Sequence, residues 1–191
     1  MCGIFALIDP NKKIYDYEFI NSQFMKGQHR GPEFSIMKNY NFLTMGFHRL
    51  AINGLNKGAH QPIDFGNICL ICNGEIYNYK SLYQLLNVEP HTDSDCEVII
   101  HLYLKFGLDH TLQLLDGVFS FCLLDKRTNT ICFARDPFGI RPLYYTLIDD
   151  IFVYASELKM IEGFYNNINA NNHKLIHSFP PGSYIYYNFE N

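Results

Sequence analysis

A cysteine at position 2 sets the first chemical question. Met1-Cys2-Gly3 is a start that aminopeptidases trim, since they remove an initiator Met followed by a small residue. The product would carry a thiol and a free α-amine on one residue. Such an amine has an unperturbed pKa of about 7.7–8.0, so it can take a proton near neutrality. A thiolate is a strong nucleophile, and an adjacent base activates it further. One residue then supplies both nucleophile and base, as in enzymes with an N-terminal threonine. A small buried hydrophobe opening a strand is the competing reading of the same tripeptide.

Other residues could complete an acyl-transfer site. Asn73-Gly74 follows an apolar run. A tetrahedral oxyanion needs donors already aimed at it. A side-chain amide and the next backbone N–H supply two, and glycine lets the backbone approach a ligand closely. An ordinary Asn-Gly turn fits the same pair. Arg49 lies in an apolar stretch, where a guanidinium needs a partner. Its planar fork suits a carboxylate, either a ligand's or a structural one. Glu75 and Asp95 are candidate partners for a ligand's ammonium, and Asp95 is equally placed to cap a helix.

Metal and phosphate chemistry find less support. Cys69 and Cys72 are three apart in an apolar strand, so their thiols face opposite sides. With no second pair nearby, they do not read as a zinc site. The eight histidines are scattered without a His-Glu-x-x-His pattern, and neither common phosphate-binding glycine loop occurs. No metal is expected.

The elements that must position these residues follow from periodicity and breakers. Gly3 to Ile8 reads as a buried strand closed by Asp9-Pro10-Asn11. Helical spacing over Asp16 to Gln28 ends at His29-Arg30-Gly31-Pro32. Phe34 to Met37 and Phe42 to Ile52 are strands around an Asn-rich turn. Ile68 to Cys72 is a short strand running into a turn at Asn73-Gly74-Glu75. Tyr79 to Leu86 is a helix. Ser94-Asp95-Cys96-Glu97 starts another, with carboxylates where the helix dipole favours them. It runs toward Phe106, and Leu108 to Leu115 forms a second short helix. Val118 to Leu124, Thr130 to Arg135, Leu143 to Leu147 and Ile151 to Ala155 are antiparallel hairpin strands. Ser156 to Ile161 is a helical turn, and Ser183 to Phe189 a last strand. Strands with two helical groups indicate an α+β fold with helices outside two sheets.

Composition bounds the function. Of 191 residues, 48% are hydrophobic and 18% charged, which is globular and suits one domain over 1–191. A net charge of −4 offers no cationic surplus for phosphates, so nucleic acid is not an expected partner. No apolar run approaches the roughly 18 residues of a membrane span. The apolar start lacks a basic flank and does not read as a signal peptide. A cytoplasmic location follows, with the five cysteines beyond Cys2 as free core thiols.

Several motifs of differing chemistry occur in order. They are Met1-Cys2-Gly3-Ile4-Phe5, His29-Arg30-Gly31-Pro32, His48-Arg49-Leu50, Asn73-Gly74-Glu75-Ile76-Tyr77-Asn78, Ser94-Asp95-Cys96-Glu97-Val98-Ile99 and the run Arg135-Asp136-Pro137-Phe138-Gly139-Ile140-Arg141-Pro142-Leu143. Ala155-Ser156-Glu157 and Phe179-Pro180-Pro181-Gly182-Ser183 extend them. Together they resemble the class II glutamine amidotransferase domain of asparagine synthetase over essentially the whole chain. The resemblance implies a four-layer αββα sandwich of the N-terminal nucleophile hydrolase type. It implies a glutaminase in which Cys2 attacks the carboxamide of L-glutamine, and Asn73 and Gly74 form the oxyanion hole. Arg49 would hold the α-carboxylate, and Glu75 and Asp95 the α-amine. Leu50 joins the substrate-binding set, since family contacts in this loop include backbone carbonyls. No cofactor is expected for this domain.

The chain also departs from the pattern. Ala51 and Gly54 stand at the usual Ser and Asp positions, His60 is added, and Asp93 replaces Gly before Ser94. These changes bear on loop ordering and substrate affinity more than on chemistry. The family's ATP-using synthetase domain is not within these 191 residues, so a separate synthetase subunit is the expected ammonia acceptor. A non-catalytic glutamine-binding or docking module, and a glutaminase serving another acceptor, are the alternatives.

Overall fold

Strand β1 (Gly3–Ile8) is buried along its whole length. Both of its edges are taken: it pairs antiparallel with β3 (Leu43–Arg49) and with β9 (Ile151–Ala155). Beyond β3 lies β2 (Phe34–Tyr40), and beyond β9 lie β8 (Tyr144–Ile148) and β10 (His177–Ser178), completing a six-stranded sheet. A second sheet of five strands runs in the order β11 (Tyr184–Asn188), β7 (Thr130–Arg135), β6 (Gly117–Asp125), β5 (Ile68–Ile76) and β4 (Ile63–Phe65). All named pairings are antiparallel. This computed structural model describes residues 1–10, 15–53, 57–148, 150–166 and 176–189; Asn11 and Gly54 lie outside them.

The period of two along each strand sorts the side chains into layers. On β1, Ile4, Ala6 and Ile8 meet Cys69, Ile71 and Cys122 of the second sheet, while Phe5 and Leu7 face the other way. That other face is covered by α1 (Tyr17–Met25) and α4 (Lys159–Asn166), whose Phe24, Met160 and Phe164 are fully buried. On β5, Leu70, Cys72 and Ile76 point outward to α2 (Tyr79–Leu86) and α3 (Val98–Leu114). The layers are therefore helices, sheet, sheet, helices: the expected αββα sandwich. Cys69 and Cys72 fall in different clusters, as their odd spacing requires. Each large apolar side chain so buried contributes roughly 1.5–3 kcal/mol, and the inter-sheet cluster gathers many of them, among them Ile4, Phe47, Ile71, Phe133 and Tyr154. Phe133 stacks on Tyr154 at 3.7 Å between ring centres, and the Tyr154 hydroxyl bonds that of Tyr187 at 2.6 Å.

Several sequence expectations change. Asn73-Gly74-Glu75 is not a turn: β5 continues to Ile76, paired residue for residue with Gly117 to Asp125. The partner strand supplies hydrogen bonds that local propensity does not anticipate. A Cβ on Gly74 would lie 2.7 Å from the Val118 carbonyl oxygen, so the glycine serves close strand packing. Strand β3 stops at Arg49 rather than Ile52. The first helix is shorter than its apolar spacing suggests. Asp16 caps it by accepting from the Phe19 N–H at 2.7 Å, and a 3₁₀ turn at Gln28–Arg30 follows. Gly107, at φ 77°, divides α3 into the two expected helical pieces. The short strands β4 and β10 have too few residues to show a pattern. No helix among the described residues is long and apolar enough to cross a membrane.

Candidate active site

Strand parity assembles the site. Cys2 precedes β1 on the Ile4 side and packs at the edge of the inter-sheet core. Asn73 shares the Cys69–Ile71 face of β5, so it points into the same gap from the opposite sheet. Arg49 ends β3, one register step from the pairing of Gly3 with His48. A small cleft opens there, and its lining includes Cys2, Arg49, Leu50, Asn73, Gly74, Glu75 and Asp95. Every residue expected from the sequence to act on substrate thus meets in one cleft.

The nucleophile candidate is held by the turn after β3. The Cys2 thiol donates to the Leu50 carbonyl at 3.4 Å, and the Leu50 N–H points back at the sulfur at 3.4 Å. Burial raises the thiol pKa above its ordinary value, while the Leu50 bond opposes the rise. A thiol so placed stays protonated at neutral pH and needs a base. No histidine lines the cleft among the described residues. Met1 lines it, with its amine pKa lowered chiefly by burial. While Met1 is attached, the Cys2 nitrogen is an amide without basic character.

Asn73 is 1% exposed, and its Nδ2 has no hydrogen-bond partner among the described residues. A buried amide left unmade costs about 1–3 kcal/mol. Here it is a donor already oriented in a cleft beside a thiol, which an oxyanion hole requires. Gly74 lines the cleft next to it.

The charged groups come in balance. Arg49 is 6% exposed, and Arg141 joins it as a second guanidinium; Glu75 and Asp95 are the carboxylates. Two cations and two anions complement an α-amino acid. Asp95 Oδ2 accepts from the Ile76 N–H at 2.6 Å, which ties the end of β5 to the turn before α3. That contact replaces the helix cap that its position suggested. Burial raises the Asp95 pKa; hydrogen bonds from Ile76 and Asn53 only partly counter it.

Arg141 is the residue that sequence reasoning passed over, although it lies within a quoted motif. The Arg135–Leu143 segment crosses from the second sheet to the first. Arg135 holds it by donating to the carbonyls of Gly139 and Arg141, both at 2.7 Å. Buried Asp136 accepts from the N–H groups of Phe119, Phe138, Ile140 and Arg141. The loop so organised places Arg141 in the cleft, its Nε buried without a partner among the described residues. Two further sets of contacts brace the segments that carry Cys2 and Asn73. Arg30 Nε donates to the Cys2 carbonyl at 2.8 Å, and its guanidinium pairs with Glu157 at 2.7 Å. Gln61 clasps Cys72, the residue before Asn73, through its backbone N–H and C=O. The departures sit around this core: the Ala51 N–H is taken by Glu33, and His60 stacks on Phe34.

Two facing antiparallel sheets between helices, with a cysteine at the head of a central strand, define the N-terminal nucleophile hydrolase fold. The profile of the glutamine amidotransferase domain family matches residues 1–188, and the chain belongs to this family, in its class II branch. It is 42% identical over 166 residues to asparagine synthetase [glutamine-hydrolyzing] of Gallus gallus, covering 83% of the chain and 29% of that protein. Its identity to the Homo sapiens asparagine synthetase [glutamine-hydrolyzing] is 39% over 166 residues, with the same coverage. The chain thus spans under a third of the length of these relatives. Among solved structures, the B. subtilis glutamine phosphoribosylpyrophosphate amidotransferase superposes with a TM-score of 0.77 at 23% identity. That match covers 98% of this chain and 47% of the other.

Proposed function

We propose that this chain hydrolyses L-glutamine to glutamate and ammonia through a thioester on Cys2, once Met1 has been removed. The observation that carries the reading is the buried Asn73 amide, without a hydrogen-bond partner among the described residues, in the cleft that holds the Cys2 thiol. The relatives' names, which specify glutamine hydrolysis, support the substrate. In this reading the freed Cys2 amine takes the thiol proton as sulfur attacks the carboxamide carbon. Asn73 Nδ2 and the Gly74 N–H receive the oxyanion. The protonated amine then gives its proton to the departing ammonia, leaving the thioester. Water, deprotonated by the same amine, adds to that carbonyl and releases glutamate. Arg49 holds the α-carboxylate, Glu75 and Asp95 the α-ammonium, and Leu50 the sulfur. Arg141 adds positive charge beside the nucleophile. These steps call on no cofactor.

The ammonia acceptor in this proposal is an ATP-dependent synthetase, on the strength of the asparagine synthetase relatives. It is sought as a separate subunit by pull-down with the Met1-free protein. A cytoplasmic location is proposed on the sequence reading. The decisive measurement is glutamate release from glutamine by Met1-free protein, compared with Cys2→Ala. Release at the level of that variant, with and without the synthetase, sinks the proposal.

A further inference from the structure

On the outer face of the second sheet, away from the thiol, a second cluster has no part in the chemistry above. Glu97 is fully buried just before α3. Its Oε2 accepts from the Thr92 N–H at 2.6 Å. Its Oε1 accepts from the His91 N–H at 2.8 Å and from His101 Nε2 at 2.9 Å, and His91 Nδ1 stands 3.4 Å from the same oxygen. A carboxylate oxygen has two lone pairs, yet three polar nitrogens crowd this one. The His91 side chain is 64% exposed and could turn to water, but it folds back over a buried carboxylate. Phe65 packs edge-on against both imidazoles, at 4.9 and 5.0 Å between ring centres.

We propose that His91, Glu97 and His101 form a binding site for a zinc-class divalent ion, which fastens the segment 90–94 to the start of α3. The three donor atoms lie within 4.8 Å of one another. Zinc bonds to N and O of about 2.0–2.2 Å in a tetrahedron place ligand atoms roughly 3.3 Å apart. The Glu97 oxygen stands 2.9 and 3.4 Å from the two imidazole nitrogens, near that spacing, and the two rings, 5.9 Å apart between centres, would draw together around the ion. Two imidazoles and one carboxylate are a ligand set for such an ion and leave a fourth position for water. Ligation through His101 Nε2 requires the tautomer with its proton on Nδ1. Tyr83 supplies a second observation. Its ring contacts His101, and its buried hydroxyl has no partner among the described residues. That hydroxyl is suited to bond a metal-bound water, the outer-shell role that tunes such sites. The spacing escapes a sequence motif because His91 comes from the loop and not from the helix. Asp95 lies two residues before Glu97, so a loaded site would also steady the α-amine pocket. That consequence rests on the function proposed above; metal binding does not.

The test uses the full Met1-free chain, stripped with chelator and then dialysed against zinc or cobalt(II). One ion per chain is expected, with a rise in melting temperature. The cobalt form should show visible bands of a nitrogen and oxygen site without a sulfur-to-metal charge-transfer band. His91→Ala, a change at an exposed side chain that leaves the core intact, should abolish stoichiometric binding, as should His101→Gln. Tyr83→Phe should weaken affinity by about 10–100-fold. Glutamine hydrolysis by the metal-free protein reports on Cys2 separately, so the two readings fail independently. No stoichiometric ion in the parent chain would overturn the proposal. So would binding unchanged in His91→Ala, or a thiolate cobalt spectrum that disappears in Cys2→Ala.

Discussion

Replacing Asn73 with Ala separates a catalytic donor from a structural amide. Nδ2 is buried and has no partner among the described residues, so the folded protein already bears its desolvation, about 1–3 kcal/mol. Deleting the carboxamide removes that cost but opens a cavity of a few heavy atoms, with a penalty of similar size. The two effects oppose each other, and the expected net change is within about 1 kcal/mol. For a chain of this length that is roughly 2–4 °C in melting temperature. The transition state has no such compensation. Losing one oxyanion donor should lower kcat by about 10²–10³, or 2.7–4 kcal/mol. The assay pairs steady-state glutamate release with a thermal melt on the same preparation. A normal kcat with a raised KM would show that Asn73 binds the ground state. A fall in melting temperature well beyond about 4 °C, with kcat retained, would show a structural amide and refute the reasoning.

Three further outcomes follow from the same geometry. Asp95→Asn keeps an oxygen for the Ile76 N–H but removes the charge, so KM for glutamine should rise roughly 10- to 150-fold, matching 1.5–3 kcal/mol for a charged hydrogen bond. Because burial raises the Asp95 pKa, its contribution to stability is present at acid pH and lost as pH climbs through the folded value. The variant should therefore melt no lower than the parent near pH 7, and the acid limb of the parent's kcat/KM should be displaced upward from the ordinary Asp value. A KM that does not move removes Asp95 from the amine pocket. Arg49→Lys retains charge but loses the fork, so KM should rise with kcat nearly constant; equal kinetics would make Arg49 structural. Protein retaining Met1, verified by intact mass, should lose on the order of 10²–10⁴ in rate because the base is blocked; full activity in that form excludes the Cys2 amine.

Much of the site is legible in the order of its motifs, less in any one residue. Cys2 alone reads as well as a core thiol. Asn73-Gly74 alone reads as a turn, and that local reading proved wrong because β6 extends the ladder through Ile76. Arg141 was visible inside a motif, but its role was not. It depends on the Arg135 and Asp136 hydrogen bonds that carry the loop from one sheet to the other. The His91–Glu97–His101 cluster was hidden for the same reason: a loop brings His91 onto the helix.

By itself the sequence determined the alternation of buried faces, the α+β class and the residue types able to attack, polarise and hold an amino acid amide. These are local properties, since periodicity and side-chain chemistry travel with each segment. Tertiary structure decided which residues meet. Cys2 and Asn73 are 71 positions apart and sit on different sheets. They share a cleft because the parity of β1 and of β5 aims both into one inter-sheet gap. Burial did the rest: it raised the thiol's pKa and left the Asn73 Nδ2 without a hydrogen-bond partner among the described residues.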